Sequence, residues 1–399
     1  MQTFYIIGIS DNRNQFLSPE IRNLVSQGKV FSGGKRHHEL VHAYLPEDAV
    51  WIDITVPLDA VFSRYEEHPE IIVFASGDPL FFGFANTVMR KLPSAKIILF
   101  PTFNSLQMLA HRILLPYQEM QTLSLTGRPW DAFDSALIRG DKLIGVLTDR
   151  EKTPATIAAR MLEYGYDNYR MIVGEALGNG EEESVRTFSL EEASQSAFRF
   201  PNCLILQRNK VHPRPFGIPE SEFHLLNGRN RMITKMPVRL LTLSMLTLRE
   251  KKSFWDIGFC TGSVSIEAKL QFPELKVTAF EQRPEGKELM ERNSRKFGTP
   301  GITTVMGDFL ETELGGLPAP DAVFIGGHGG KMIEILQKIK EVLLPDGVIV
   351  FNSVSEESKA LFTKGITQIN KKVTQCTRIA VDAFCLLYTS DAADDLIGV

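Results

Sequence analysis

Residues Trp255 to Glu267 read WDIGFCTGSVSIE, an apolar run that enters a glycine-spaced turn and leaves in a helix-like pattern. Asp256 ends the apolar strand, and Gly258 and Gly262 permit a tight turn that brings backbone N–H groups close to a ligand at a helix start. Cys260 and Ser263 belong to the same turn. This is the form of a nucleotide-type site, although strand-to-helix loops are about as often glycine-rich for packing alone. The next stretches weigh on that choice. KVTAFEQRP ends a strand at Glu281, whose carboxylate can accept both hydrogen bonds of a ribose diol. TTVMGDF sets Gly307 and Asp308 at a third strand end, where the acid suits an adenine amino group, and DAVFIGGHGG sets Gly326 and Gly327 at a fourth. Open α/β folds bind ligands at such a carboxyl edge.

Outward from this point, short β-type runs alternate with longer helical patterns, which indicates α/β architecture with largely parallel sheets. FYIIGI, IIVFASG, KIILFP, KLIGVLT, YRMIVGEAL and NCLILQ form one strand series; SFWDIG, KVTAFE, TTVMGD, DAVFIGG and GVIVFNSV form another. Between them KVHPRPFGIPESEF has the prolines and glycine of a linker. The 399 residues exceed what one core usually supports. The expected division is a domain over 1–210, a linker over 211–219 and a domain over 220–384, with no sequence repeat between the halves. Residues 385–399 break the rhythm. CLLYTSDAADD resembles a translated sequencing adapter, so these residues are expected to be a non-native tail, with the natural chain interrupted after about Phe384.

The formal charge of −4 supplies no general field for nucleic acid or anionic membrane, so an anionic substrate must be met locally. Cys203, Cys260, Cys376 and Cys385 fit neither a CxxC pattern nor a disulfide framework. MQTFYIIGIS lacks the basic start and long apolar run of a leader, and no stretch approaches a membrane span. The expectation is a soluble, cytoplasmic protein. In the first half, FYIIGIS runs into Gly8, FSGGKRHHEL follows a glycine pair with Lys35, Arg36, His37 and His38, and VFASGDPLFFG ends in Ser76, Gly77 and Asp78. Each is explained as a turn or a solvated face when taken singly. The histidine pair has no second pair at ligand spacing, and no metal site is expected.

DxGxxxG in place of GxGxxG, with an acidic GD after the third strand, resembles the class I S-adenosylmethionine methyltransferases. The run MITKMPVRLLTLSML…WDIGFCTGSVSIEA…DAVFIGGHGG is similar to the C15-methylating, decarboxylating enzymes of cobalamin biosynthesis over about residues 217–384. Cys260 departs from that family, which often has glycine there. Across residues 1–208, SGDPLFFG, FPTFNSLQMLA and SLTGRPWD resemble the tetrapyrrole methylases, class III methyltransferases with two α/β subdomains, and GGKRHHEL resembles the members acting at C5. That resemblance implies that Gly8, Ser76, Gly77, Asp78, Thr102 and Ser105 serve the cofactor cleft, with Lys35, Arg36 and Arg128 near the tetrapyrrole. Thr102 to Ser105 departs from the family's glycine–serine turn.

Two such halves in this order resemble a fused family that methylates a precorrin at C5 and C15 with loss of carbon dioxide from the ring C acetate. The implied fold is a tetrapyrrole methylase domain followed by a Rossmann-like class I domain. KKVTQCTRIAVDAF reads as the first strand of its closing hairpin, whose partner is missing. The implied cofactor is S-adenosylmethionine, one site per domain, and the implied assembly is a homo-oligomer. A multiply carboxylated tetrapyrrole gives basic residues work, and Arg229, Arg231, Lys235 and Arg239 are candidates, Lys235 before the others. His328 is a candidate donor near the substrate, and Cys260 is not expected to be a catalytic thiol. Two other readings stay open: a different methyl acceptor such as a nucleic acid base, and a binding module in one half. Neither a base-clamping NPPY-like motif nor a basic, aromatic-interleaved stripe supports the first, and the intact Asp256, Gly258, Gly262 and Glu281 weigh against the second.

Overall fold

The computed structural model describes residues 2–227, 229 and 232–379. The chain forms two compact units, Met1–Arg214 with Arg295–Gly301, and Pro215–Ser294 with Ile302–Val399. The division at Arg214 and Pro215 lies in the proline-bearing segment. Among the described residues no helix is long and apolar enough to cross a membrane.

The first unit holds two sheets. Thr3–Ile9 (β1), Val30–Gly33 (β2), Val50–Asp53 (β3), Glu70–Ser76 (β4) and Lys96–Phe100 (β5) are parallel, in the order β3-β2-β4-β1-β5. The central strands β1 and β4 are covered on both faces, with Ile6, Ile7, Val73 and Phe74 fully buried, which is why they read as unbroken apolar runs. The second sheet comprises Gln121–Ser124 (β6), Leu143–Leu147 (β7), Tyr169–Glu175 (β8), Ser184–Phe188 (β9) and Asn202–Arg208 (β10), in the order β6-β7-β10-β8-β9. Here the expectation of parallel pairing fails: only β6 and β7 are parallel, and β10 runs antiparallel to both its neighbours. The connection from β8 to β9 is too short for a crossover and returns antiparallel. The edge strands QTLS and SVRTF were not among the apolar runs, because polar residues on solvated faces dilute the strand signal.

The second unit is built on Ser253–Ile257 (β11), Lys276–Glu281 (β12), Ile302–Met306 (β13), Ala322–Ile325 (β14) and Val348–Phe351 (β15), all parallel in the order β13-β12-β11-β14-β15. The chain leaves β11 to one side for β12 and β13 and then returns to its other side for β14 and β15. This change of direction opens a crevice at the carboxyl ends. The register aligns those ends: Ile257 pairs with Phe280 and Ile325, Glu281 with Met306, and Ile325 with Phe351. Met332, Ile335, Leu336 and Ile339 recur at helical spacing on Met332–Val342 and cover one sheet face against Trp255, Val323 and Ile325. Leu243, Val264 and Ala268 cover the other against Phe254, Val277 and Phe324.

Lys371 to Ile379, expected to begin the closing strand, is in no strand. It has no ladder partner among the described residues, and its residues are exposed, so water meets most of their backbone groups. The remainder of that strand and the expected tail over 385–399 lie outside the described residues.

Arg239, grouped by sequence with the substrate-facing bases, is instead fully buried. Its guanidinium donates to Glu267 Oε2 at 2.6 Å, to Thr234 O at 2.7 Å and to Ile218 O. The other oxygen of Glu267 accepts from Gly217 N–H. One buried ion pair therefore ties the entry segment of the second unit to helix Ser263–Gln271. Replacing Glu267→Gln leaves a buried guanidinium without its counter-charge and is expected to lower unfolding stability by about 3–5 kcal/mol. Denaturant unfolding reads this, and a loss below about 1 kcal/mol would show that the pair does not carry the segment.

Candidate functional site

The carboxyl ends of the third sheet open into a cleft of about 530 Å³. Asp256, Gly258, Cys260, Ser263, Glu281, Gly307, Asp308, Gly326, Gly327, Lys235 and His328 all line it. Two turns make this convergence possible. Gly258 has φ +79°, and a Cβ there would lie 2.9 Å from the Gly327 nitrogen, so the first and fourth strand-end loops can meet only at glycine. Gly258 N–H donates to Phe280 O and Gly326 N–H to Ile257 O, each at 2.8 Å, which extends the ladder into the loops. Gly262 does not line the cleft; at φ +75° it turns the chain into helix Ser263–Gln271. Cys260 is also left-handed, at φ +51°, which accounts for glycine being the easier residue there. Its thiol reaches Met232 O at 3.3 Å, and burial, then the neighbouring Glu281, push its pKa up, so it is no thiolate.

The acids of this cleft are held differently. Glu281 is buried, and its Oε2 accepts from Cys260 N–H at 2.9 Å while Oε1 accepts from Arg283 N–H at 2.9 Å. The Arg283 guanidinium stands 3.2 Å from Oε1. Arg283 Nη1 also donates to both oxygens, at 3.2 and 3.4 Å, and these two longer bonds are the ones a diol would replace. Asp256 accepts from Ser265 Oγ at 2.6 Å through Oδ2, whereas its buried Oδ1 has no partner among the described residues. Burial pushes its carboxyl up to about 7, against the Ser265 hydrogen bond and with a further push from Glu281. Asp308 is half-buried and bonded to Lys331 Nζ at 2.8 Å and to Leu310 N–H at 2.9 Å, which hold its carboxyl below the ordinary range. His328 Nδ1 accepts from Gly330 N–H at 3.1 Å, so the neutral ring carries its proton on Nε2 as a hydrogen-bond donor. Lys235 is exposed at the start of helix Met236–Met245. Arg229 is exposed and not part of the lining, and Arg231 lies outside the described residues.

The first unit has a second cleft, of about 520 Å³, between loops of its two sheets. Ser76, Gly77, Ser105, Arg36 and Arg128 line it; Gly8, Asp78, Thr102 and Lys35 do not. Gly8 stands behind the site, where a Cβ would collide with the Gly77 carbonyl oxygen, and Thr102 N–H reaches the same oxygen at 3.4 Å. Asp78 Oδ1 accepts from Leu80 N–H at 2.9 Å and shapes the turn. The departure at Thr102 to Ser105 has a structural explanation: Asn104 caps helix Ser105–Arg112, exchanging hydrogen bonds with Gln107 at 2.9 and 3.0 Å. Arg36 pairs with Asp11 at 3.1 Å and donates to Ser76 Oγ at 3.1 Å. His37 also meets Ser76 Oγ, at 2.9 Å, while its Nδ1 accepts from Gly34 N–H at 3.2 Å. Burial first, then Arg36, hold His37 down to about 4, which keeps it neutral. His38 stacks on Trp51 instead, and no metal-ligating cluster occurs among the described residues.

Asp11, His37, Arg283, Lys331 and Asn352 were not singled out as site residues by the sequence. Arg283 had a signal, since it lies two residues after the strand-end Glu281. Asp11 and Asn352 had none, because their partners Arg36 and Thr242 are distant in sequence.

The sequence profile of the precorrin methyltransferase domain matches residues 227–385. The chain is 33% identical over 371 residues to the precorrin-6Y C(5,15)-methyltransferase (decarboxylating) of Sinorhizobium sp, covering 89% of this chain and 86% of that protein. It is 25% identical over 366 residues to the protein of the same name in Mycobacterium tuberculosis, covering 91% and 90%. It is 39% identical over 133 residues to the cobalt-precorrin-6B C(15)-methyltransferase (decarboxylating) of Salmonella typhimurium, covering 33% of this chain and 68% of that one.

Because the folded Asp256 titrates near 7 and an unfolded aspartate near 3.9, its neutral form contributes stability below about pH 4 that is lost as pH rises through 7. Asp256→Asn is expected to flatten this decline in the second unit, on the order of a few kcal/mol across the window. Unfolding curves of both proteins from pH 4 to 8 check it, and parallel profiles would refute it.

Proposed function

The chain belongs to the precorrin-6Y C5,15-methyltransferase (decarboxylating) family, and from that premise we propose how its two clefts divide the reaction. It is an S-adenosylmethionine-dependent C-methyltransferase of cobalamin biosynthesis, methylating a reduced precorrin at C5 and C15 with loss of the ring C acetate carboxyl as carbon dioxide. The first unit acts at C5. The second acts at C15 and decarboxylates. The observation that carries this division is that each unit has its own glycine-built cleft of about 520 or 530 Å³, a size suited to a small-molecule cofactor and part of a substrate. The single-reaction relative from Salmonella typhimurium matches only a third of the chain, which supports one unit sufficing for the C15 reaction.

The residues fit S-adenosylmethionine in the second unit. Glu281 presents two oxygens whose longer bonds to the Arg283 guanidinium a diol can replace, Asp256 has an unpartnered buried oxygen among the described residues, and the Gly258–Gly327 contact lets backbone approach the ligand. In the first unit the Ser76–Gly77 turn and the start of helix Ser105–Arg112 take the corresponding place, with Gly8 and Thr102 as support. When bound, the cofactor supplies a methyl group already activated on a sulfonium. The protein's contribution is to hold an electron-rich meso carbon in line with that methyl and to keep water away. Lys235 holds a substrate carboxylate at the second cleft, and His328 gives its Nε2–H to the macrocycle as a hydrogen bond. Electrons released with carbon dioxide pass into the conjugated ring, which takes up a proton.

Mass spectrometry of a reduced precorrin-6-type substrate incubated with S-adenosylmethionine tests the division. The unsubstituted chain is expected to add two methyl groups and lose one carbon dioxide. Glu281→Ala is expected to slow C15 methylation and decarboxylation by about 100-fold while C5 methylation continues, the loss of two charge-assisted hydrogen bonds. Gly77→Val should do the reverse, because φ is +61° there. Equal loss of both methylations in either variant would refute separate sites.

A further inference from the structure

A substrate with several carboxylates needs cations that nothing else neutralises, and most bases near the first cleft are already engaged. Arg36 is paired with Asp11 and donates to Ser76, and Lys152 lies 4.0 Å from Asp149. Two arginines differ. Arg128 stands over the ring of Phe82 at 5.1 Å, and Arg150 over the ring of Phe200 at 5.7 Å. Both phenylalanines line the cleft, and both are exposed, at 40% and 53%; Arg128 lines it as well, whereas Arg150 lies beyond the lining and borders it through Phe200. Among the described residues neither guanidinium has an ion pair or a side-chain hydrogen bond.

We propose that Arg128 and Arg150, each laid on a cleft phenylalanine, form an anion-recognising rim that selects the peripheral carboxylates of a flat conjugated substrate in the first unit. This rests on the assignment of C5 methylation to that unit. The physical reason lies in guanidinium geometry. A phenyl ring within about 6 Å attracts the cation through its π-face and consumes none of the guanidinium N–H donors, which remain for a bidentate carboxylate. The contact also restricts the side chain beforehand, so less freedom is lost on binding. The same exposed rings offer apolar surface to the edge of a macrocycle. Phe82 has a further mark: it is held at φ +53°, a strained conformation for a bulky residue, with its ring kept at the cleft rather than in the core. Arg128 follows β6 and Phe82 follows β4, so this pair spans the two sheets of the unit. Arg150 and Phe200 both come from the second sheet's loops.

The test is equilibrium binding of the full chain to a metal-free corrin polycarboxylic acid and to its fully methyl-esterified form. The chain is expected to prefer the acid. Arg128→Gln and Arg150→Gln are each expected to weaken acid binding about 10-fold, the loss of a charge-assisted bidentate contact, with ester binding changed less than about twofold. Lysine at either position should restore part of the preference, and S-adenosylmethionine affinity should not move. An unchanged acid-to-ester ratio in the double variant would overturn the proposal, as would equal loss of both probes, which would indicate collapse of the cleft. Measuring C5 methylation by the unsubstituted chain separates the two claims: its absence counts against the reaction assignment, while the acid-to-ester contrast still decides the rim.

Discussion

In both units a strand-end glycine is packed so closely against the backbone of a second loop that no side chain fits between them. Gly258 meets Gly327 in the second unit, and Gly8 meets Gly77 in the first. Everything at the two clefts depends on this steric constraint. A parallel sheet brings strand ends to one edge, but side chains would hold the following loops apart. With glycine at the contact, the loops close up, peptide groups face the cleft, and the acids at neighbouring strand ends fall within reach of one ligand.

Charge is distributed around these clefts by pairing rather than by net excess. Arg239 and Glu267 are spent on fastening the entry segment, and Arg36 on Asp11 and Ser76. Glu281 is aimed by one backbone N–H from just past its own strand's end and another from the glycine turn, with the Arg283 guanidinium across both oxygens at longer range. Among the described residues the Asp256 carboxylate has only Ser265 for a partner, and deep burial accounts for its reluctance to ionise. His37 is likewise kept neutral, by burial and a neighbouring guanidinium. A chain with a formal charge of −4 can thus present local donors to an anionic substrate, because many of its acids are already partnered.

The third sheet was legible strand for strand, because its central strands are buried on both faces and its first four strands end at a glycine or an acid that breaks the apolar run. The second sheet was not: its pairing direction is set by loop length and by which strand slides between β7 and β8, and neither leaves a periodic signal. Asp256, Glu281 and the GG pair could be placed at one edge from spacing. Arg239 could not be told from its basic neighbours, since burial depends on Glu267, 28 residues away.

The sequence by itself determined the α/β class, the strand ends of the second half and the glycine turns, because these follow from local sterics and from apolar runs a few residues long. Only the tertiary structure decided which charges are spent and which stay available, such as Arg36 against Arg128, because a side chain's partner comes from wherever the fold brings another element beside it.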